Sequence, residues 1–350
     1  MNSSIEEKNT YNKYTNKGIT GLANIGNTCY INSCMQLLSH TYELNDFLDT
    51  GSYKKRINKI ADSVVLVEWD KLREMMWSSN CTIAPWGFVK GIQKVALLKD
   101  RELFTGNAQN DVQEYLLFII DCFHNSIRRE VEMEITGDAI NKTDNLAKVC
   151  YGMMSDMYKK DYSEILNIFY GIHVSQISSL DTNECLSSRP EPFSVLSLSI
   201  AQVKNPTLFD CLDLYCKKET LEGENAWFNE DLNKYQNVSR GIIFWSLPNI
   251  LIIDLKRWGS DGSKNGNNVS IELSNIDLSS YVKGYNSCSY IYDLYGVANH
   301  SGGSGGGHYT ATIKNANGKW YEFNDTFVKE LKGNNIVSSK SYCFFFRKKK

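Results

Sequence analysis

The sequence predicts an α+β fold in which helices dominate the first half of the chain and strands dominate the second. Up to about residue 164, apolar residues recur at helical spacing, whereas from about residue 165 they alternate with polar residues in short runs. The 350 residues, 42% of them hydrophobic, are enough for a large core, and no internal repeat divides them. We therefore expect one domain over residues 18–350, preceded by a flexible leader over residues 1–17.

The helices of the first half are predicted from apolar periodicity and from residues that start helices. The i, i+3, i+4, i+7 pattern predicts helices over three stretches: residues 29–39, 61–77 and 85–98. Asn110 or Asp111 then starts a longer helix, and its first turn carries Asp111 and Glu114. Acidic residues are favourable at a helix N-terminus, so the plain interpretation of this pair is a cap and a capping box.

The second half is predicted to consist mainly of strands, separated by turn-forming residues. Alternation predicts strands that include residues 167–174, 193–200, 242–244 and 250–255. Residues 208–215 are typical of a short helix, and the Gly, Asn and Ser residues of 260–268 predict a loop. Further strands are expected from there to Phe346.

Charge and composition exclude several classes of function. The chain carries 38 Lys and Arg against 40 Asp and Glu, so no basic excess predicts nucleic-acid binding. No apolar run approaches the roughly 18 residues of a membrane span, and the N-terminus lacks a signal-peptide core. We expect a cytoplasmic location, with the nucleus as the alternative, and no membrane partner. The ten cysteines have no framework spacing and are expected to be free thiols, and basic residues 347–350 are expected to be a solvated end.

A loop rich in Gly and Asn delivers Cys29 to the start of the first predicted helix. Asn27 or Thr28 is expected to cap that helix. A thiol at a helix N-terminus faces unpaired backbone N–H groups and the positive end of the helix dipole, which both favour the thiolate. This predicts a nucleophile, with the Asn24 carboxamide and the same N–H groups as donors to an oxyanion. The alternative is that Cys29 is a small core residue.

A second segment supplies the groups that a nucleophilic cysteine needs. A base must take the proton of the thiol, and a third group must fix the ring of the base. Residues 308–313 and 320–325 are predicted to pair as a hairpin, which brings His308 close to Asn324 or Asp325. Asn324 is the first choice for the third group and Asp325 the second. The glycine-rich residues 301–307 are expected to form a mobile wall that an extended peptide approaches closely, with a flexible linker as the alternative.

Several segments together resemble landmarks of the ubiquitin-specific proteases, which are papain-like cysteine peptidases. The segments are GLANIGNTCYINSCMQLL (21–38), GNAQNDVQEYLLFIID (106–121), LPNILIIDLKRW (247–258), YGVANHSGGSGGGHYTATI (295–313), KWYEFND (319–325) and SYCFFFRKK (341–349). The resemblance implies a papain-like cysteine protease fold with a helical thumb, a β-rich palm and β fingers. The thumb would span about residues 18–164, the fingers and part of the palm about 165–245, and the palm with the catalytic histidine about 246–350.

The resemblance also implies the function. It implies a thiol-dependent deubiquitinase that hydrolyses the bond after the C-terminal glycine of ubiquitin, without a cofactor and as a monomer. Acidic positions that match Asp111 line the channel for the arginines of the ubiquitin tail in this family. The same channel is implied for Gln109, Gln113, Glu114, Gly307 and Tyr309. A protease for a ubiquitin-like modifier and a catalytically silent ubiquitin-binding scaffold are the alternatives, although filled catalytic positions argue against silence.

One departure from the family concerns the zinc site of the fingers. Many relatives hold zinc through two C-x-x-C pairs, but the matching residues here, 174–178 and 228–232, offer no cysteine. Three cysteines nearby form no such pair: Cys185, Cys211 and Cys216. Because structural zinc needs four ligands, we expect no metal, and we expect packing alone to hold the fingers, with contributions from Trp227, Phe228 and Tyr235.

Overall fold

The computed structural model describes residues 11–230, 232–303, 306–333 and 335–349. Helices dominate the first half, as predicted. They are α1 Cys29–Ser39, α2 Tyr42–Asp49, α3 Asp62–Ser78, α4 Trp86–Leu98, α5 Val112–Ile127, α6 Lys142–Asp161, α7 Glu164–Phe169 and α8 Leu208–Cys216. None of the helices in these ranges combines the length and hydropathy that a membrane crossing requires.

Strands follow in the second half. The described strands are β1 Gly21–Leu22, β2 Thr82–Ile83, β3 Gly171–Ser179, β4 Cys185–Phe193, β5 Val195–Ser199, β6 Glu219–Leu221, β7 Trp227–Asn229, β8 Lys234–Gln236, β9 Val238–Ser246, β10 Ile250–Lys256, β11 Ile276–Asp277, β12 Ile291–Gly303, β13 Gly306–Lys314, β14 Trp320–Asn324, β15 Phe327–Leu331 and β16 Ser341–Lys348. The main sheet has the order β15-β14-β13-β12-β16-β10-β5, and a second sheet has the order β4-β3-β9-β6.

The inner strands of the main sheet are buried on both faces, which joins the two halves of the chain. Ile250 and Ile252 belong to the apolar cluster formed with α1, α3, α4 and α5. Leu251 and Ile253 point the other way and pack in a cluster that includes α8. Two-sided burial explains the continuous apolar run of β10. On the first face, α1 packs against β12, β13 and β14, so the predicted nucleophile helix lies on the strands of the predicted base.

Two predicted strands have other bounds in the structure. Residues 167–169 complete α7 instead of starting a strand, because Ile165, Ile168 and Phe169 pack into the helical core. Residues 193–200 are divided between two strands: β4 pairs with β3 in the second sheet, whereas β5 pairs with β10 in the main sheet. A short apolar run does not reveal which sheet will bury it, and the single-strand prediction was therefore wrong.

The predicted flexible leader is corrected for residues 11–17, while residues 1–10 lie outside the described ranges. Tyr14 is buried and stacks on Tyr42, with ring centroids 4.3 Å apart. The hydroxyl of Tyr11 donates to Glu43 at 2.8 Å. These aromatic contacts offset the entropy lost when the segment is ordered.

The basic end of the chain is also less solvated than predicted. Arg347 lies on the inner strand β16, and its guanidinium carbon is 4.5 Å and 4.3 Å from the ring centroids of Tyr42 and Tyr295. Its Nε donates to Glu43 at 2.9 Å. The positive charge is thus enclosed by π-systems and one carboxylate. Residue 350 lies outside the described ranges.

The fingers are held by strand pairing and aromatic contacts in the described part of the chain. Phe228 and Tyr235 pack edge to face across the β7–β8 hairpin, with centroids 5.2 Å apart. Residue 231, in the second segment compared with the zinc motif, lies outside the described ranges. No group of three or more His, Cys, Asp or Glu side chains within those ranges is placed to hold a metal ion. The proposed absence of zinc stays a prediction.

Candidate active site

The start of α1 places the thiol of Cys29 directly after a sharp turn. Gly26 and Asn27 have left-handed φ values of 122° and 54°, which bring the chain into the helix over a short distance. Neither predicted cap makes a capping bond to the helix. Thr28, at the N-cap position, instead accepts the N–H of Ile25 at 3.0 Å through its hydroxyl. Thr28 thus stabilises the loop and leaves the first-turn N–H groups uncapped.

The structure corrects the expected ionisation of Cys29. Burial raises the pKa of the Cys29 thiol, and the nearby carboxylate of Asp325 raises it as well. Backbone N–H groups, first of all that of Tyr309, lower it by a smaller amount. The net pKa lies above the ordinary value, so the helix N-terminus alone does not make this thiol a thiolate. A neutral thiol needs a base that takes its proton as the sulfur attacks.

Strands β13 and β14 place the imidazole beside its orienting group. Nε2 of His308 lies 2.7 Å from Oδ1 of Asn324. A carboxamide oxygen only accepts, so Nε2 carries the hydrogen and Nδ1 of the neutral ring is the acceptor. Of the two predicted candidates, the structure therefore pairs Asn324 with His308, and it leaves Nδ1 free to take a proton.

Asp325 contacts the loop before α1 instead of the imidazole. Its Oδ1 accepts from Nδ2 of Asn32 at 2.7 Å, and its Oδ2 accepts from Nδ2 of Asn24 at 3.1 Å. Its backbone carbonyl accepts the N–H of Leu22 at 2.9 Å. These bonds tie the end of β14 to both sides of the nucleophile loop. Asp325 is therefore a positioning residue for Asn24, which corrects its prediction as an aligner of His308.

The carboxamide of Asn24 is held at both ends. Its Oδ1 accepts the N–H of Thr28 at 3.0 Å and that of Gly26 at 3.3 Å, while one hydrogen of Nδ2 goes to Asp325. The second hydrogen of Nδ2 remains for a reacting oxygen. A donor whose orientation is fixed before the substrate arrives is what oxyanion stabilisation requires.

Asn32 belongs to this hydrogen-bond network, and the sequence analysis missed it. It lies one turn after Cys29 on α1 and is 3% exposed, although its neighbours in the helix are largely apolar. A buried amide needs partners, and Asn32 finds one in the carboxylate of Asp325. An asparagine within a predicted core helix was the signal available in the sequence.

A cleft of about 710 Å³ separates the loop before α5 from the β12–β13 hairpin. It contains several residues predicted to contact a substrate, and its lining is Asn27, Gln109, Asn110, Asp111, Trp258, His300, Gly303, Gly306, Gly307 and Tyr309. The glycine-rich wall is strand-paired where it is described, since Gly302 pairs with Gly307 and Gly303 with Gly306. Residues 304 and 305 lie outside the described ranges.

Asp111 is both the cap of α5 and a wall of the cleft. Its Oδ1 accepts the N–H of Gln113 at 2.7 Å, and its Oδ2 accepts the hydroxyl of Tyr342 at 2.7 Å. Tyr342 comes from β16 and was not predicted. Gln113 and Glu114 are not among the residues that line the cleft, and Glu114 is exposed and forms no capping box. Of the residues predicted to contact the substrate, the structure thus brings only some together at the cleft.

His300 forms the opposite wall and is neutral at physiological pH. Burial, followed by the charges of Lys264 and His308, lowers the pKa of His300 to about 4. Nζ of Lys264 is 2.9 Å from Nδ1 of His300, and the imidazole packs on the ring of Tyr309 with centroids 4.6 Å apart. A Cβ at Gly307 would lie 2.3 Å from Nε2 of His300. The wall therefore requires glycine at this position.

The sequence matches a known family over most of its length. Residues 20–346 match the profile described as ubiquitin carboxyl-terminal hydrolase. Ubiquitin carboxyl-terminal hydrolase 2 of Gallus gallus is 31% identical, with 94% of this chain and 93% of that protein covered. The Homo sapiens protein of the same name is 31% identical over 98% of this chain and 57% of its own length, and Usp2 of Drosophila melanogaster is 32% identical over 95% and 35%. The chain thus spans about half or less of some of these relatives.

Solved structures with a similar fold match most of the chain. A chain of the SAGA Ubp8/Sgf11/Sus1/Sgf73 DUB module bound to ubiquitin aldehyde superposes with a TM-score of 0.73 at 22% identity, covering 96% of this chain and 71% of that one. The corresponding module bound to monoubiquitin gives a TM-score of 0.72 at 22% identity, covering 97% and 71%. At this identity the likeness concerns the fold. It confirms the predicted papain-like α+β architecture.

Proposed function

Because the chain belongs to the ubiquitin carboxyl-terminal hydrolase family, we propose that it is a cysteine-type deubiquitinase. The reaction is hydrolysis of the peptide or isopeptide bond after the C-terminal glycine of ubiquitin. One observation carries the proposal: His308 is oriented by Asn324, while the next residue, Tyr309, directs its backbone N–H to the thiol of Cys29. Tyr309 also lines the cleft, so the proposed nucleophile and base lie next to it in the structure and in the sequence, respectively.

The bond between His308 and Asn324 and the raised pKa of Cys29 define the order of the proton transfers. Nδ1 of His308 takes the proton of Cys29 as Sγ attacks the carbonyl carbon of the terminal glycine. The charge that develops on the carbonyl oxygen is stabilised by Nδ2–H of Asn24 and by backbone N–H groups at the start of α1. The imidazolium then returns the proton to the leaving amine as the C–N bond breaks. Water hydrolyses the thioester with His308 again as the base, and Asn324 holds the ring throughout.

The chemistry of the cleft suits the tail of ubiquitin. The carboxylate of Asp111 supplies a negative charge for the arginines of that tail, and paired glycines form the facing wall. A wall without side chains lets a backbone approach closely, which favours an extended peptide that ends in two glycines.

The partners that follow are ubiquitin and ubiquitinated proteins, on which the chain acts as a monomer. We place the reaction in the cytoplasm, with the nucleus as the second location. The balanced charge of the chain and the free thiols of the described cysteines support this placement, because free thiols are typical of a reducing compartment.

The test is covalent capture by ubiquitin that carries a C-terminal electrophile. We expect an adduct with the wild type, none with Cys29→Ala, and strongly slowed capture with His308→Ala. Cys288→Ala is the matched control, because Cys288 is an exposed thiol outside the cleft, and it should react like the wild type. If the wild type binds ubiquitin but forms no adduct, the chain is a catalytically silent ubiquitin-binding scaffold and the proposal is wrong. If only a ubiquitin-like modifier forms an adduct, the chain is a protease for that modifier and not for ubiquitin.

A further inference from the structure

A side-chain hydrogen bond crosses the cleft between its two walls. The backbone N–H of Gly307 donates to Oε1 of Gln109 at 2.6 Å. The two residues are 198 positions apart and come from the hairpin and from the loop before α5. The same oxygen would lie 3.0 Å from a Cβ at Gly306, which is a tight contact, so Gln109 lies close against the glycine wall. Both partners line the cleft that the proposed function assigns to the ubiquitin tail.

The N–H of Gly307 belongs to an open strand edge. In an antiparallel ladder, alternate residues direct their N–H and C=O groups away from the partner strand. Strand β13 pairs with β12 along its glycine segment, but β14 joins its other side only from Ala311 onward. The edge at Gly307 therefore has no strand neighbour in the described part of the hairpin, and its N–H is directed across the cleft to Gln109. An extended peptide binds such an edge by adding a strand.

The group that occupies this edge is chemically a peptide group. A carboxamide has the same acceptor oxygen as a backbone amide, in the same plane as its nitrogen. We propose that the side chain of Gln109 is an intramolecular stand-in for a backbone carbonyl of the substrate tail. The bound tail takes the N–H of Gly307, one residue before the catalytic His308, and displaces Gln109. Gln109 thus regulates entry to the cleft, and this role rests on the proposed deubiquitinase function.

The expected change in the rate of tail capture follows from the free energy of one hydrogen bond between neutral groups. Gln109 is exposed, so its carboxamide exchanges one partner for water or substrate when it leaves Gly307. Removing the competitor should raise the rate of tail capture about two- to tenfold. The catalytic step after binding should be unchanged, because Gln109 contacts none of the catalytic groups in the described structure.

The experiment compares wild type with Gln109→Met, which keeps the length of the side chain and removes the amide acceptor. The matched control is Gln202→Met, whose carboxamide donates to the carbonyl of Ile200, outside the cleft. The two readouts are the exchange rate of the Gly307 amide proton by NMR in the free protein and the second-order rate of capture by electrophilic ubiquitin. We expect both rates to rise about two- to tenfold in Gln109→Met and neither to change in the control.

The two readouts separate failure of the inference from failure of the function. Unchanged exchange at Gly307 would show that the bond to Gln109 is not formed in solution and would overturn the proposal. Faster exchange with slower capture would also overturn it, because Gln109 would then be a direct contact of the tail. Faster exchange in a protein that no ubiquitin electrophile labels would overturn the deubiquitinase assignment, and with it the role of the bond in ubiquitin entry.

Discussion

The substitution Asp325→Asn distinguishes the two neighbouring candidates for the third catalytic group. In the wild type, one oxygen of Asp325 accepts from Asn32 and the other from Asn24. An asparagine keeps the shape and one acceptor, which stays with the buried Asn32. Its NH₂ group then faces the NH₂ group of Asn24, and two donors do not bond. The substitution therefore releases Asn24, while the bond between His308 and Asn324 remains.

The expected loss is worked from that one bond. A hydrogen bond to a charged group contributes about 1.5–3 kcal/mol. If this energy orients Asn24 in the transition state, kcat falls about 10- to 150-fold, since roughly 1.4 kcal/mol corresponds to a factor of ten. KM should change little, because the oxyanion forms only after binding. The lost carboxylate had raised the pKa of Cys29, so alkylation of Cys29 at pH 8 should become faster even as catalysis slows.

The assay is steady-state hydrolysis of ubiquitin with a C-terminal fluorophore, by Asp325→Asn, Asn24→Ala and the double variant. Because both substitutions remove the same interaction, the double variant should be no slower than Asn24→Ala alone. Thermal unfolding shows whether each protein is folded. Additive losses would refute the reasoning, as would an unchanged kcat in folded Asp325→Asn.

Three further predictions follow from the same structure. Because the pKa of Cys29 is raised, its alkylation by iodoacetamide in the free protein should keep rising from pH 7 to pH 9, and a plateau below pH 7 would contradict this. Tyr342→Phe removes a donor from the carboxylate of Asp111, which then accepts more strongly from a bound substrate. KM for a ubiquitin substrate should fall about two- to fivefold at constant kcat. A fall of about two- to fivefold in kcat instead would assign Tyr342 to the chemical step. Arg347→Met leaves Glu43 without its cation and should lower the free energy of unfolding in urea by about 3 kcal/mol, and a loss well under 1 kcal/mol would indicate an exposed pair.

The parts of the site that the sequence predicted depend on short-range spacing. The helix at Cys29 follows from apolar residues within eleven positions, and the pairing of His308 with Asn324 follows from a hairpin whose turn lies between them. The order of the main elements was predicted for the same reason. Local periodicity and turn residues are sufficient for such features because few alternative backbone paths satisfy them.

The sequence-based predictions were wrong where burial, or a partner distant in the sequence, determines the state of a residue. The N-terminal position of Cys29 favoured a thiolate, but burial in the folded protein and the charge of Asp325 raise its pKa. Asp325 was assigned to the imidazole, although its partners lie 293 and 301 positions earlier, at Asn32 and Asn24. The segment around Tyr14 was expected to be flexible because its stacking partner lies in a separate helix.

The sequence by itself determined the α+β class, the nucleophile helix, the hairpin that carries the base, and the segments that resemble the protease family. Only the tertiary structure decided how the thiol ionises, which of two adjacent polar residues orients His308, and that Gln109 occupies the edge at Gly307 in the free protein. The physical reason is the range of the interactions. Backbone geometry and periodicity act within a few turns, whereas desolvation and hydrogen bonding depend on groups that the fold brings together from opposite ends of the chain.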